Sequence, residues 1–192
     1  EPYQTITYAE CHDNHALWDR LAISNPDATE ADRIKMHELT AAMVLTSQGI
    51  PFLHAGTEML RSKNGVENSF DSPDNINRID WSRKTKYKAV NDYFRALIQL
   101  RKQHPAFRLT SADLIRKHLH FLEIPGTNLV GYELTDHAGG DSWKRIVVLF
   151  NGNTDTQIVP IPEGKWNVVL EGSQINEQGL RTLTAKEVGV QG

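Results

Sequence analysis

A chain of 192 residues, 39% hydrophobic and 23% charged, has a globular composition and enough length to bury a core. Its net charge of −3, with no long run of either sign, excludes bulk attraction to nucleic acid or an anionic membrane. One cysteine, Cys11, excludes an internal disulfide, and no apolar run approaches the length of a membrane span.

The first ten residues, EPYQTITYAE, lack the basic, apolar and small-residue parts of a secretory leader. They begin at Glu1 with no initiator methionine, which suggests a processed or excised piece and leaves the compartment open, cytoplasmic or extracytoplasmic. Residues 3–10 alternate and are rich in Tyr, Thr and Ile, which predicts a short strand. A dense polar cluster follows, Cys11-His12-Asp13-Asn14-His15. SNPDA, 24–28, reads as a turn. Thr29 is then a suitable N-cap, with Glu30 and Asp32 in the first turn where the helix dipole favours them. The helix should run to Ser47 with its second half, AAMVL, buried, and Gly49 should stop it. IPFLHA, 50–55, has strand length, so the order is strand, helix, strand, as in a parallel α/β unit.

Residues 56–85 are rich in Gly, Asn and Asp and poor in aliphatics, and a connection this long is usually functional. A second helix is predicted from Lys86 to His104, with Val90, Phe94, Leu97 and Ile98 on its apolar face. Arg101, Lys102 and His104 suit its negative end, and Pro105 stops it. After residue 112 short apolar runs (KHLHFLEI, NLVGYELT, RIVVLFN, TQIVPI, KWNVVLEG) alternate with the turn-like PGTN, AGGDS, NGNTD and PEGK. This predicts an antiparallel sheet or sandwich. Two units follow: an α/β piece over 1–111 and an all-β domain over 112–192. Two strands and two helices cannot bury a parallel sheet on both faces, so a partner or further chain must complete the first unit.

Several side-chain groups carry chemistry, each beside a plainer reading. His12 and Asp13 follow a predicted strand. At the C-terminal end of a parallel strand they would enter the site face of an α/β fold and could grip vicinal sugar hydroxyls. Otherwise they belong to a polar loop. His12, Asp13 and His15 offer a weak metal reading, with no further Cys or His cluster to complete a shell. Glu58 with Asp13 would make the carboxylate pair of a glycosidase, but the favoured reading has His54 buried and Glu58 tying down its loop. In SFDSPDNINRIDW, 69–81, the Asp and Asn residues could hold calcium or simply stabilise turns. Trp18, Phe70 and Trp81 are either flat platforms for sugar rings or core and loop anchors. Trp143 and Trp166 raise a non-catalytic glucan-binding module, against a reading as strand core.

Taken together, YAECHDNHALWDRL and RIKMHELTAAMVLTSQGIPFLHAGTEMLRSKNGVENSFDSPDNINRIDW closely resemble the type I pullulanases of the α-amylase superfamily, glycoside hydrolase family 13. The resemblance runs over residues 3–104. It implies the last two β/α units of a (β/α)8 TIM barrel, followed by a C-terminal antiparallel β-sandwich. It implies a retaining hydrolase that debranches α-glucans such as pullulan, glycogen or amylopectin at α-1,6 linkages; isoamylase and α-amylase are the neighbouring alternatives. Of the family's catalytic trio only the transition-state-stabilising Asp maps here, as Asp13, with His12 beside it on the glucosyl unit. Asn14, Trp18, Phe70, Asn77 and Trp81 complete the expected substrate-binding set. The nucleophile and the acid/base are not in this sequence, which overrules Glu58 as a catalyst. This polypeptide alone should therefore be inactive and should need the missing N-terminal part of the barrel. No cofactor is assigned, calcium being a candidate only for the intact enzyme. One more apolar strand is expected after EVGVQG, and Cys11 stands where Ser or Ala is common.

Overall fold

The computed structural model describes all 192 residues. The first strand is shorter than predicted: only β1 (Ile6–Thr7) forms, and it pairs in parallel with β2 (Ile50–Pro51). Two backbone bonds hold the pair, Ile50 N to Thr5 O and Phe52 N to Thr7 O, at 3.0 and 2.9 Å. Pro2–Gln4, expected in the strand, is a 3-10 turn closed by reciprocal bonds between Glu1 and Gln4. Gly49 precedes β2 at φ +93, and a Cβ there would meet Thr5 Oγ1 at 2.6 Å, so only glycine lets the two strands approach.

Between the strands lie α1 (Leu17–Ser24) and α2 (Glu30–Thr46). α1 lies in a stretch that the sequence reading left without an element, although Leu17, Trp18 and Leu21 stand at helical spacing. α2 matches its prediction: the Thr29 hydroxyl accepts the Asp32 N–H at 3.1 Å. Ala41, Ala42, Val44 and Leu45 are buried, but Met43 turns outward at 39% exposure.

After β2, α3 (Asp74–Asn77) and α4 (Ser82–Lys86) are single turns. α5 (Lys88–Gln103) then packs on α2. Val90, Phe94 and Leu97 face the core as predicted; Ile98 does not, at 38% exposure, and Tyr93 and Leu100 take that face instead. A 3-10 turn at Pro105–Arg108 ends the helical region.

The C-terminal part begins with α6 (Ala112–His118), capped by the Ser111 hydroxyl on Leu114 N. The run KHLHFLEI differs from the expected strand at its start: Lys117 and His118 are helical, and the strand β3 is only Leu119–Phe121. β3, β4 (Leu129–Leu134) and β5 (Ile146–Asn151) form an antiparallel meander. β6 (Gln157–Val168) runs straight through PEGK, which was expected to turn. It does so because β9 (Arg181–Val190) pairs with it on both sides of a bulge between Pro160 and Gly164, and that bulge takes up Pro162 and Glu163 of the run. β7 (Leu170–Glu171) and β8 (Gln174–Ile175) form a small hairpin that packs on α5.

One core joins the helices to the meander. It contains Trp18, Ala41, Leu45, Phe94, Leu97 and Phe107 together with Tyr132, Leu134, Ile146 and Phe150. The Tyr132 hydroxyl donates to Thr46 O at 2.7 Å, and burial pushes its pKa up to about 12. Gln48 bridges the same junction, donating to Ala106 O at 2.8 Å and accepting Leu109 N at 2.9 Å.

Glu38 on α2 is 4% exposed and accepts the Ser173 hydroxyl from the β7–β8 turn. Burial raises its pKa above the ordinary 4.5 against the opposing pull of that bond. The folded chain thus holds this proton more tightly than the unfolded chain. The contribution to stability is complete below the unfolded value and is lost as pH rises through the folded one. Glu38→Gln is expected to flatten the decline of the urea midpoint from acidic to neutral pH. Parallel pH profiles for both proteins would reject this.

Candidate functional site

The chain leaves β1 into the loop 8–16. Its base is buried and its tip is open. Glu10 is 7% exposed, and its Oε2 accepts Leu17 N at 2.6 Å, so the carboxylate caps the start of α1. The same oxygen lies 3.7 Å from Nδ1 of His54, which follows β2. Arg61 donates to His54 Nε2 at 3.1 Å, which assigns the imidazole proton to Nδ1, facing Glu10. Burial is the main cause lowering the pKa of His54; Arg61 and Lys63 lower it further, against Glu10.

The tip carries His12 and Asp13, 83% and 69% exposed at their side chains, with Nε2 and Oδ1 3.5 Å apart. Asn14 takes a left-handed conformation at φ +61, which Asn tolerates better than most residues. Lys63 reaches under the tip and donates from Nζ to His12 O at 3.0 Å. Burial is the main cause lowering the Lys63 pKa, with Arg61 adding to it. Lys63 is in turn held by α1: Asp19 accepts its N–H at 2.7 Å and the Ser62 hydroxyl at 2.6 Å. The ammonium and the two carboxylates thus fix the backbone of the tip and leave its side chains free.

The segment Arg61–Lys63 also ties in the second loop. Arg61 donates to Asn77 O at 2.6 Å, and Asn77 Nδ2 donates to Ser69 O and Ser72 O at 2.6 and 3.0 Å. Asn77 therefore braces the loop that presents Phe70. Phe70 and Trp81 are open, 83% and 66% exposed. Trp18 is placed differently from the sequence expectation. It is 7% exposed in the core, with the Arg33 guanidinium 4.8 Å above its ring and Tyr87 and His37 beside it. Its faces are occupied by protein, so it offers no platform to a ligand. Glu58 accepts Gly56 N at 3.1 Å within its own loop.

Glu10, Asp19, His54, Arg61 and Lys63 are the supporting residues that sequence reasoning did not assign to the site. Their contacts combine partners six or seven residues away with others more than forty residues away, and no helix or strand period marks them. Trp143 and Trp166 are both engaged by protein partners. Trp143 stacks on His104 at 3.6 Å between centroids, and Trp166 donates to Pro162 O at 3.1 Å.

Residues 115–174 match the protein family described as "Pullulanase, all-beta domain". A pullulanase of Bacillus subtilis (strain 168) is 44% identical over 156 residues, which is 81% of this chain and 22% of that protein. The chain thus spans about a fifth of the length of that curated relative. A solved pullulanase from Bacillus acidopullulyticus superposes with a TM-score of 0.95 at 50% identity, over 99% of this chain and 23% of that one. The pullulanase of Paenibacillus barengoltzii, solved with maltohexaose and α-cyclodextrin, superposes with a TM-score of 0.90 at 44% identity, over 100% of this chain and 29% of that one.

Proposed function

The chain is similar, along nearly all of its length, to one segment of pullulanases, and from that premise we propose that it serves in a retaining glycoside hydrolase that cleaves α-1,6 linkages of α-glucans. Residues 1–111 are the last two β/α units of its (β/α)8 barrel, and 112–192 are the antiparallel β domain behind it.

The observation that carries this reading is the parallel pair β1–β2, with His12 and Asp13 beyond the C-terminal end of β1. Site residues of (β/α)8 enzymes stand at that end. The exposed apolar side chains of the pair support it as well. Ile6, Ile50 and Phe52 are 62%, 47% and 42% exposed, a surface that further barrel strands would cover. Asp13 accepts hydroxyls of the reacting ring and stabilises positive charge as the oxocarbenium-like state forms, with His12 as its neighbour on the same sugar. Asn14 completes the tip, Phe70 and Trp81 are ring platforms, and Asn77 contributes by holding their loop. The binding partners are α-glucans, as the bound maltohexaose of the solved Paenibacillus pullulanase suggests.

A retaining glycosidase also needs a nucleophile and an acid/base. Neither is assigned to any residue here, Glu58 being committed to Gly56 N. The 192-residue chain incubated with pullulan is expected to release no maltotriose above a buffer control, measured by anion-exchange chromatography. Steady release that scales with protein concentration would overturn the reading.

A further inference from the structure

We propose that Cys11, His12 and Asp13 form a site for Zn2+ or a similar borderline transition-metal ion. The sequence spacing had suggested His15 as the second imidazole. The fold instead brings Cys11 to the pair: one ligand atom from each of the three residues lies within 4.8 Å of the other two. His12 Nε2 and Asp13 Oδ1 are 3.5 Å apart, and Cys11 Sγ sits 3.8 Å from the Asp13 carbonyl.

Metal–ligand bonds of about 2.0–2.3 Å place tetrahedral donors roughly 3.3–3.8 Å apart. The His–Asp pair already has that spacing, and the widest pair must close by about 1 Å. The backbone need not move for this. Lys63 holds the His12 carbonyl, while the His12 and Asp13 side chains are open to solvent and free to rotate. The donor set selects the ion. Thiolate and imidazole suit zinc, cobalt and copper, whereas calcium and magnesium take oxygen ligands. Thiolate and carboxylate together balance the two positive charges of the metal, so the bound site is neutral beside the Lys63 ammonium. Three protein ligands leave a fourth position for water. A bound ion would occupy the two side chains that grip the sugar, a consequence that rests on the glucan reading; the metal site itself does not.

Titration of the chain with Co2+ under reducing conditions tests the proposal. A thiolate-to-cobalt absorption band should saturate at one ion per chain and be displaced by Zn2+. Cys11→Ser should abolish the band, and His12→Ala and Asp13→Asn should each weaken binding by about tenfold or more. Far-UV circular dichroism checks that the variants are folded. The absence of a band, or a band of unchanged affinity in His12→Ala, overturns the site. Zn2+ that binds at Cys11 yet leaves pullulan cleavage by the full-length enzyme unaffected would uphold the metal site and refute the sugar-gripping role of the pair.

Discussion

Asp13→Asn, made in an enzyme that carries the remainder of the barrel, is expected to lower kcat on pullulan by about 10²–10³-fold, the cost of removing one transition-state-stabilising group. KM should change little, because the lost interaction strengthens only as charge develops on the sugar. The substitution keeps the volume, removes the negative charge and turns one acceptor oxygen into an NH2 donor. It should not disturb the fold: the Asp13 side chain is 69% exposed, and it faces only the His12 imidazole and, at longer range, the Lys63 ammonium. Steady-state kinetics with a parallel thermal melt separates the two effects. An unchanged kcat would remove Asp13 from the mechanism. A fall in kcat matched by a fall in melting temperature would make the residue structural.

The second large effect is on stability. Arg101→Met is expected to cost about 3–5 kcal/mol, because it removes four charge-assisted hydrogen bonds to backbone carbonyls, each costing about 1–3 kcal/mol when a buried group is left unsatisfied. The guanidinium is buried at 7% exposure. Nη1 donates to Leu45 O, Ser47 O and Phe107 O at 2.9, 2.7 and 2.8 Å, and Nη2 to Gly49 O at 2.8 Å. Two of those carbonyls belong to the end of α2, where backbone acceptors lack helical partners. One side chain therefore caps α2, orients the turn into β2 and holds the segment leading to the C-terminal part. Methionine fills similar space but leaves four carbonyls unsatisfied. Urea denaturation of the chain measures the cost. A loss under about 1 kcal/mol would mean that water replaces the guanidinium at little expense.

Arg101 also shows what a sequence can and cannot reveal. Its place near the end of α5 suggested an interaction with that helix's own dipole. In the fold it serves α2, more than fifty residues earlier. Trp18 makes the same point. A lone aromatic beside a polar cluster reads more often as an anchor than as a sugar platform, the resemblance favours the platform, and the packing of His37 and Tyr87 against it decides for the core. The β6 strand resumes after the first half of PEGK because β9 pairs with it on either side, while Pro162 and Glu163 bulge out of register.

The amino-acid sequence by itself determined α2, α5, β4 and β5. Their signals are short-range: the Thr29 cap, the Pro105 stop, the period of Val90, Phe94 and Leu97, and the turn residues flanking the strands. The His12–Asp13 tip was also legible, as a cluster following a strand. The tertiary structure alone decided what supports that tip. Glu10, His54, Arg61, Lys63 and Asp19 come from segments up to about fifty residues apart; Glu10, Asp19 and Lys63 are buried and His54 and Arg61 half-buried, held by the bonds and charges they supply to this support. A charge can leave water only when its partner arrives, and that partnership is created by chain topology, not by neighbouring residues.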